Sequence, residues 1–382
     1  MTGEALDLHR KLNGKIEVRS KIALTPDVLA LVYTPGVADV SRHIAEHNSV
    51  RDYTMKRNAV AIVTDGSAVL GLGNIGPEAA LPVMEGKALL FKEFANIDAF
   101  PLCLATQDAQ EIITTVRHIA PVFGGINLED IAAPRCFAIE EALQDLGIPV
   151  MHDDQHGTAV VVLAALLNAA RVTGKRFHTL RVVVSGAGAA GTAVARLLTC
   201  SGYDQTCMPV SDIVVCDRQG IIHQGRELPL HKQQLCTITN RSNRTGTLAD
   251  ALEGADVFVG VSSGGLLTED MIRRMNDNPI VFALANPTPE IAPDEAAHAG
   301  AAIVATGRSD YPNQVNNALA FPGIFRGLLD AEAPRVTNRM KLAAAQALSR
   351  TIDPDENHIL PSVLDKNVTR SVADAVRKAA EK

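Results

Sequence analysis

The second half of the chain alternates short apolar runs with longer segments whose apolar residues recur every three or four positions. Runs rich in valine and isoleucine are typical of buried strands, and the longer segments are typical of amphipathic helices. We expect strands at residues 180–184, 213–216, 257–261, 280–284 and 302–305. A helix at 158–172 precedes them, and another follows the first strand and ends near Ser201. This alternation predicts an α/β fold around a parallel sheet.

The first half and the C-terminal end carry similar but sparser signals. A strand is expected at 60–63, followed by Asp65-Gly66, and a helix at 81–94. A chain of 382 residues exceeds the usual size of one hydrophobic core, so two domains are expected. We divide the chain into an N-terminal α/β domain at 1–153, a second α/β domain at 154–316 and a helical segment at 317–382 that packs back on the first domain.

A glycine-rich turn lies between the first strand of the second domain and the helix after it. It reads Gly-Ala-Gly-Ala-Ala-Gly, in which the first glycine suits a tight turn, the second a close approach to a pyrophosphate and the third close packing of helix on strand. The N–H groups of a helix N-terminus also attract phosphate. In this context, a Rossmann-type site for NAD or NADP is favoured over a merely structural turn. The expected cofactor contacts are Gly186, Gly188, Ala189, Ala190 and Gly191.

The choice between the two dinucleotides depends on the end of the next strand. Asp217 stands there, somewhat farther from the last glycine than the usual offset of about 20 residues. An acidic residue at this position normally accepts hydrogen bonds from the ribose 2′-hydroxyl and repels a 2′-phosphate. The neighbouring Arg218 would instead attract that phosphate. The sequence therefore leaves NAD and NADP open, with a slight preference for NAD.

Two acidic clusters suggest a metal site near the predicted domain boundary. Glu129-Asp130 and Asp153-Asp154 are adjacent pairs, and neighbouring carboxylates repel each other unless a cation or protons intervene. Oxygen ligands favour Mg²⁺ or Mn²⁺ over zinc. The alternative interpretation is equally open from spacing alone: the second pair caps a helix and the first lies on a solvated face.

Composition narrows the classes of partner. A net charge of −7 argues against nucleic acid or an anionic membrane surface. The longest apolar run, 159–167, is too short to span a bilayer, and residues 1–11 have no apolar signal core. The six cysteines form no CxxC pair, so we expect free thiols, neither zinc nor a disulfide framework, and a reducing cytoplasm.

Several longer strings resemble those of the malic enzyme family, in order from about Lys21 to Asp330. The strings that carry the resemblance are YTPGVA at 33–38, TDGSAVLGLGNIGP at 64–77, VMEGK at 83–87, residues 123–131, HDDQHGT at 152–158, ALANP at 283–287 and residues 305–317. The chain is most similar to the small bacterial type. Larger, eukaryotic-type members carry an arginine for the substrate carboxylate where this chain has Ala68, which leaves Ser67 and Lys87 as candidates for that contact.

The resemblance implies a role for each matching residue. Lys87 would be the general base and Tyr33 the general acid. The metal ligands, with one supporting carboxylate, would be Glu129, Asp130 and Asp154, supported by Asp153. Lys87, Asn286 and Asn317 would contact substrate, with the adjacent Asn316 as an alternative to Asn317, and Asn286 would also contact the nicotinamide. A free lysine has a pKa of about 10.4, so a basic Lys87 requires a lowered pKa, through burial and a nearby cation.

The activity implied by the resemblance is oxidative decarboxylation of L-malate to pyruvate and CO₂, with reduction of NAD or NADP and dependence on Mg²⁺ or Mn²⁺. The resemblance also implies a homodimer or higher homo-oligomer. A dehydrogenase that acts on a hydroxy or amino acid without decarboxylation is the nearest alternative, but it would not need the two acidic pairs. A catalytically silent NAD(H) sensor is the other alternative, and the presence of Tyr33, Lys87 and the acidic residues argues against it.

Overall fold

Two parallel β-sheets with helices packed against them form the framework of the computed structural model, which describes residues 2–381. The first sheet has the strand order β2-β1-β3-β4. Every residue of β1 is buried, which is typical of the central strand of a parallel sheet covered on both faces. The strands are β1 (Ala59–Thr64), β2 (Asp98–Cys103), β3 (Gly125–Leu128) and β4 (Val150–His152).

Seven helices accompany this sheet within the described residues. They are α1 (Thr2–Leu12), α2 (Pro26–Val32), α3 (Val37–His47), α4 (Val50–Tyr53), α5 (Gly76–Ala95), α6 (Ala109–Ile119) and α7 (Arg135–Ala142). Helix α5 buries one face, including Met84 and Phe91, against the first sheet and the C-terminal helices. Helices α2 and α3 bury no residue at all.

The second sheet has the order β10-β9-β8-β5-β6-β7, with only the short β7 antiparallel to its neighbour. In its own sequence order this is the Rossmann arrangement, in which the connection reverses between the first and fourth strands. Its strands are β5 (Arg181–Ser185), β6 (Asp212–Asp217), β7 (Gly220–Ile221), β8 (Val257–Gly260), β9 (Ile280–Ala283) and β10 (Ile303–Thr306). Its helices are α8 (Asp153–Val172), α9 (Ala189–Leu198), α10 (Leu230–Cys236), α11 (Leu248–Leu252), α12 (Glu269–Arg273) and α13 (Pro293–His298).

The remaining helices contact both halves of the molecule. They are α14 (Phe321–Asp330), α15 (Asn338–Ser349) and α16 (Lys366–Ala380). The ring of Phe91 on α5 lies 4.7 Å from that of Phe321 and 5.4 Å from that of Phe325, in edge-to-face geometry. On the other side, the Asn168 amide of α8 donates to the carbonyl of Ile359 at 2.9 Å.

The predicted strands of the second domain and the strand at 60–63 are confirmed to within one or two residues. The helix predicted at 81–94 is also present, but it begins earlier, at Gly76. The helix predicted at 158–172 begins earlier, at Asp153, and therefore includes both acidic residues in its first turn. Pattern analysis found no strand at β2, β3 or β4. These are short or interrupted, since Pro101 lies in β2 and β3 has only four residues.

The expectation of free thiols throughout is wrong for one pair. Cys200 and Cys207, at the end of α9 and in the loop after it, form a disulfide. The other four cysteines are free, and three of them are buried. A spacing of seven residues gave no CxxC signal, but a tight loop brings the two Cα atoms within 5.7 Å. Within the described residues, no helix is both long enough and apolar enough to cross a membrane.

Candidate active site

The carboxyl ends of the two sheets face a common cleft, and α8 runs from one sheet to the other. A cavity of about 760 Å³ lies there, and residues of both halves line it. Ligands of open parallel sheets bind outside the carboxyl ends of the strands, where the strand order reverses. Here the reversals lie next to β1 in the first sheet and next to β5 in the second. The fold therefore directs both sets of predicted site residues toward one place.

Three of the predicted carboxylates converge on this cavity. Glu129 and Asp130 follow β3 directly, and Asp154 lies in the first turn of α8. One oxygen from each lies within 4.8 Å of the others. The backbone N–H of Asp130 donates to Asp154 Oδ2 at 2.8 Å, which fixes the two acidic segments against each other. This convergence favours the metal-site interpretation over the capping interpretation, because helix capping does not require Glu129 and Asp130 to lie next to Asp154.

The donor set fits a hard divalent cation. Among the described residues, Asp130 Oδ2 is buried without a hydrogen-bond partner. Burial, followed by repulsion from Asp154 and Glu129, raises the pKa of Asp130 to about 9. Buried carboxylates cost free energy unless a cation or protons neutralise them. Carboxylate oxygens at this separation are ligands that Mg²⁺ and Mn²⁺ prefer.

Lys87 lies against the same carboxylates. It projects from α5, is 7% exposed, and its Nζ lies 2.6 Å from Glu129 Oε2 and 2.5 Å from Asp153 Oδ2. The side-chain amide of Asn317 donates to the same Asp153 oxygen. The ring of Phe321 lies 4.2 Å below the ammonium. Asp153 thus holds Lys87 and Asn317 and stands apart from the cluster of three carboxylates.

A basic Lys87 requires burial and a nearby cation to lower its pKa. Burial does act in that direction, but the carboxylates of Asp153, Glu129 and Asp154 outweigh it and raise the pKa above the usual value of a lysine. The sequence argument relied on a nearby cation, which would oppose these carboxylates.

The glycine turn has the geometry of a pyrophosphate cradle. Gly186 has φ +120°, in the region that favours glycine, and a Cβ there would lie 2.8 Å from a carbonyl oxygen. A Cβ on Gly191 would lie 1.8 Å from the carbonyl oxygen of Gly186, so only glycine permits this approach of α9 to β5. Gly188 meets nothing within 4 Å and faces open space, directly before Ala189 and Ala190 in the first turn of α9.

A second cavity, of about 1050 Å³, extends from this turn along the end of β6. It shares Val261 and Ser262 with the first cavity, so the two cavities adjoin and form one cleft. Asp217 lines this second cavity. Both its oxygens are held by neighbouring side chains and a backbone N–H, which the sequence did not predict.

The remaining predicted residues lie in different surroundings. Asn286 and Asn317 line the first cavity. The Ser67 hydroxyl donates to Asp65 Oδ1 at 2.5 Å and accepts the backbone N–H of Ala132 at 2.9 Å. Tyr33, at the end of α2, is 67% exposed and does not line the first cavity.

Sequence reasoning missed Glu290, which organises the cleft between the two cavities. It is fully buried and accepts the N–H of Ser262 at 3.2 Å and that of Ala285 at 3.0 Å. These bonds tie together the loops that follow β8 and β9. Gly260 allows this, since a Cβ there would lie 2.3 Å from the Glu290 carboxyl carbon. A lone glutamate after a proline-rich loop gave no signal for this role.

Residues 13–111 match the family model described as the malic enzyme N-terminal domain, and residues 155–381 match that of the malic enzyme NAD-binding domain. The chain belongs to the malic enzyme family. The second match covers more than half of the chain and ends near its last helix.

Similar proteins share both halves of the chain. The bifunctional malic/malolactic enzyme of Bacillus subtilis is 52% identical over 99% of this chain and 92% of its own length. The NAD-dependent malic enzyme of Geobacillus stearothermophilus is 53% identical over 97% of this chain and 77% of its own length. The crystal structure of NAD-dependent malic enzyme from Thermotoga maritima superposes with a TM-score of 0.93 at 49% identity, over 98% of each chain. Other similar relatives are named NADP-dependent malic enzymes.

Proposed function

We propose that this chain catalyses the oxidative decarboxylation of L-malate to pyruvate and CO₂, with reduction of NAD or NADP and dependence on Mg²⁺ or Mn²⁺. One observation carries the proposal. A buried lysine and three convergent carboxylates line the same cleft as a glycine turn that is open for a pyrophosphate. Membership of the malic enzyme family supports it. A simple hydroxy-acid dehydrogenase would not need the carboxylate cluster.

Each group in the site then has a chemical task. A divalent ion held by Glu129, Asp130 and Asp154 would supply Lewis-acid polarisation of the C2 oxygen, and the nicotinamide would accept the hydride from C2. Lys87 takes the proton of the C2 hydroxyl as that hydride leaves. After CO₂ is lost, Tyr33 donates a proton to C3 and releases pyruvate.

Neighbouring residues support these steps by binding and positioning. Asp153 and Glu129 both hold the Lys87 Nζ in place. Asn317, which donates to Asp153, and Asn286 at the cavity wall contact the substrate, and Asn286 also meets the nicotinamide. The N–H groups of the first turn of α9 receive the pyrophosphate. In this division of work, residues 1–153 provide metal and substrate contacts, 154–316 bind the dinucleotide and 317–382 pack against both.

We further propose a homodimer. The N-terminal segment exposes large apolar side chains, among them Leu24, Leu29, Leu31, Val32, Tyr33 and Val37. Helices α2 and α3 bury none of their residues, and exposed apolar patches of this kind mark interaction surfaces. A second copy that covers this segment would also bring Tyr33 out of solvent. The proposed compartment is the cytoplasm, supported by the four free cysteines and in spite of the one disulfide.

The test is formation of reduced nicotinamide by purified protein with L-malate, NAD or NADP, and Mn²⁺, Mg²⁺ or chelator, with pyruvate quantified in the same samples. Metal-dependent reduction with equal amounts of pyruvate is expected. Lys87→Ala should lower turnover by roughly 10²–10⁴-fold. Lys92→Ala is the matched control, because Lys92 lies on the same helix with its side chain 52% exposed.

Two outcomes would contradict the proposal in different ways. Reduction without pyruvate, independent of metal, would identify a simple dehydrogenase. Absence of turnover with every combination of cofactor and metal would favour the silent sensor. Lys87→Ala with turnover close to that of Lys92→Ala would remove Lys87 from the mechanism.

A further inference from the structure

The far end of the cleft carries a feature that neither the glycine turn nor the carboxylate cluster explains. Asp217, the acidic residue at the end of β6, is 10% exposed in its side chain and accepts four hydrogen bonds. Oδ1 accepts from the backbone N–H of Gln219 at 2.9 Å and from Arg226 at 3.0 Å. Oδ2 accepts from Arg226 at 3.0 Å and from Lys232 at 2.7 Å.

Donors engage both oxygens of Asp217. One Arg226 nitrogen is shared between the two oxygens, the Gln219 N–H donates to Oδ1 and the Lys232 ammonium donates to Oδ2. A ribose hydroxyl would have to compete with these donors to be bound by the carboxylate. The carboxylate is also neutralised by two cations, so it does not repel an incoming anion as an unpaired aspartate would.

Positive charge with unused donors remains on the same wall. Arg218 lines this cavity, and its exposed side chain makes no ion pair or hydrogen bond within residues 2–381. Among those residues, the Lys232 ammonium bonds to Asp217 alone, which leaves two of its three N–H donors for a ligand. Glu227 is the other carboxylate on the wall, and it is exposed. Three cations against two carboxylates leave this end of the cleft net positive.

We infer that the adenosine end of the cleft is built for a 2′-phosphate, with Arg218 and Lys232 as its ligands, so that NADP is the preferred dinucleotide. Arginine and lysine donors to phosphate form charge-assisted hydrogen bonds, which are stronger than neutral ones. The slight preference for NAD drawn from the sequence assumed a free aspartate. Arg226 and Lys232 lie nine and fifteen residues beyond Asp217, and only the fold brings them to it.

The inference depends on the proposed function only in taking the bound ligand to be a nicotinamide dinucleotide, and a binding experiment tests it without turnover. Full-length protein without metal or malate is titrated calorimetrically with 5′-AMP and with adenosine 2′,5′-bisphosphate. The bisphosphate should bind at least tenfold more tightly. Equal affinities, or tighter binding of 5′-AMP, would overturn the inference whatever the enzyme's activity. A protein that prefers the bisphosphate but does not oxidise malate would contradict only the proposed function.

Variants assign the preference to particular side chains. Arg218→Ala, and more strongly Arg218→Ala with Lys232→Ala, should lower the ratio of kcat/KM for NADP to that for NAD by roughly 10–100-fold. Arg241→Ala is the control, because Arg241 is an exposed arginine that does not line this cavity. An unchanged ratio in Arg218→Ala would remove Arg218 from the site. Reversal of the preference in the double variant would support both ligands.

Discussion

Lys87 and the three carboxylates beside it shift one another's pKa values. Burial raises the pKa of Glu129, Asp130 and Asp154, even though Lys87 opposes the shift in each. The same carboxylates hold the proton on Lys87. A divalent cation among them would favour loss of protons from all four groups, because positive charge stabilises carboxylates and destabilises an ammonium. Metal binding and the basicity of Lys87 are therefore expected to be coupled.

This coupling predicts the pH dependence of metal binding. Because folding raises the pKa of Asp130 from 3.8 to about 9, the metal-free site retains a proton at pH 7, and Mn²⁺ must displace it. Affinity for Mn²⁺ should therefore rise with pH between about 6 and 9, with release of one proton or more at pH 7. Calorimetry in two buffers of different ionisation enthalpy counts the protons. Asp130→Asn should release fewer, and binding without proton release in the wild type would contradict the prediction.

The sequence could predict which residue types form the site but not how they pair. Adjacent carboxylates and three spaced glycines are local patterns, so both motifs could be recognised in the sequence. The contact between Lys87 and Asp153 joins positions 66 residues apart, and no local pattern reports it. The raised pKa of Lys87 follows from that contact. Burial lowers the pKa as expected, but the paired carboxylates, which the sequence did not reveal as neighbours, outweigh it.

Helix α8 connects the proposed metal ligands to the half that we propose binds the dinucleotide, and its first turn is held by a buried network. Glu140 on α7 accepts the backbone N–H of His152 at 2.9 Å and the side chains of Gln155 and His156 at 3.0 Å. With Nε2–H of His156 donated to Glu140, its Nδ1 accepts from Lys341 at 3.2 Å. Burial alone would raise the pKa of Glu140, but His156 and then Lys341 lower it to about 2, so it remains ionised.

Removing this carboxylate should disturb the metal site without touching it. Glu140→Ala leaves three donors near the start of α8 without an acceptor, and each such loss costs about 1–3 kcal/mol. We expect a lower free energy of unfolding and weaker Mn²⁺ binding, because Asp154 lies in that turn. Chemical denaturation and Mn²⁺ titration measure the two effects. Glu141→Ala, at an exposed neighbouring position, is the control, and equal behaviour of the two variants would show that the network does not position α8.

Strands could be predicted from sequence where burial on both faces gives them an unbroken run of apolar residues. Strands β5, β6, β8 and β9 are short unbroken apolar runs, because helices cover both faces of their sheet. Strands β3 and β4 have only four and three residues and are followed directly by the acidic residues Glu129 and Asp153, so each gives too short an apolar run to be recognised. The start of α8 was misjudged because its first turn is acidic.

At the scale of the whole molecule, one proposed catalytic residue, Tyr33, lies outside the cleft that contains the others. The cleft between the two sheets contains Lys87 and the carboxylates, whereas Tyr33 belongs to an exposed N-terminal segment. That segment is tied to the body by few polar contacts, such as the Lys15 ammonium on the carbonyl of Pro82 at 2.6 Å. If the proposed homodimer covers the segment, the acid of one copy can serve the base of the other. Neither the exposure nor the separation was visible in the sequence.

Mixed dimers test this arrangement directly. Tyr33→Phe and Lys87→Ala homodimers should each be nearly inactive. When the two variants are unfolded together and refolded, a heterodimer has one site with a native Tyr33 and a native Lys87 only if the tyrosine acts across the interface. For random assembly into dimers, such a mixture should regain about a quarter of wild-type activity. If Tyr33 acts within its own chain, every site lacks one of the two residues and no activity returns. Refolded wild-type protein sets the scale, and sedimentation of the mixture verifies that dimers have formed.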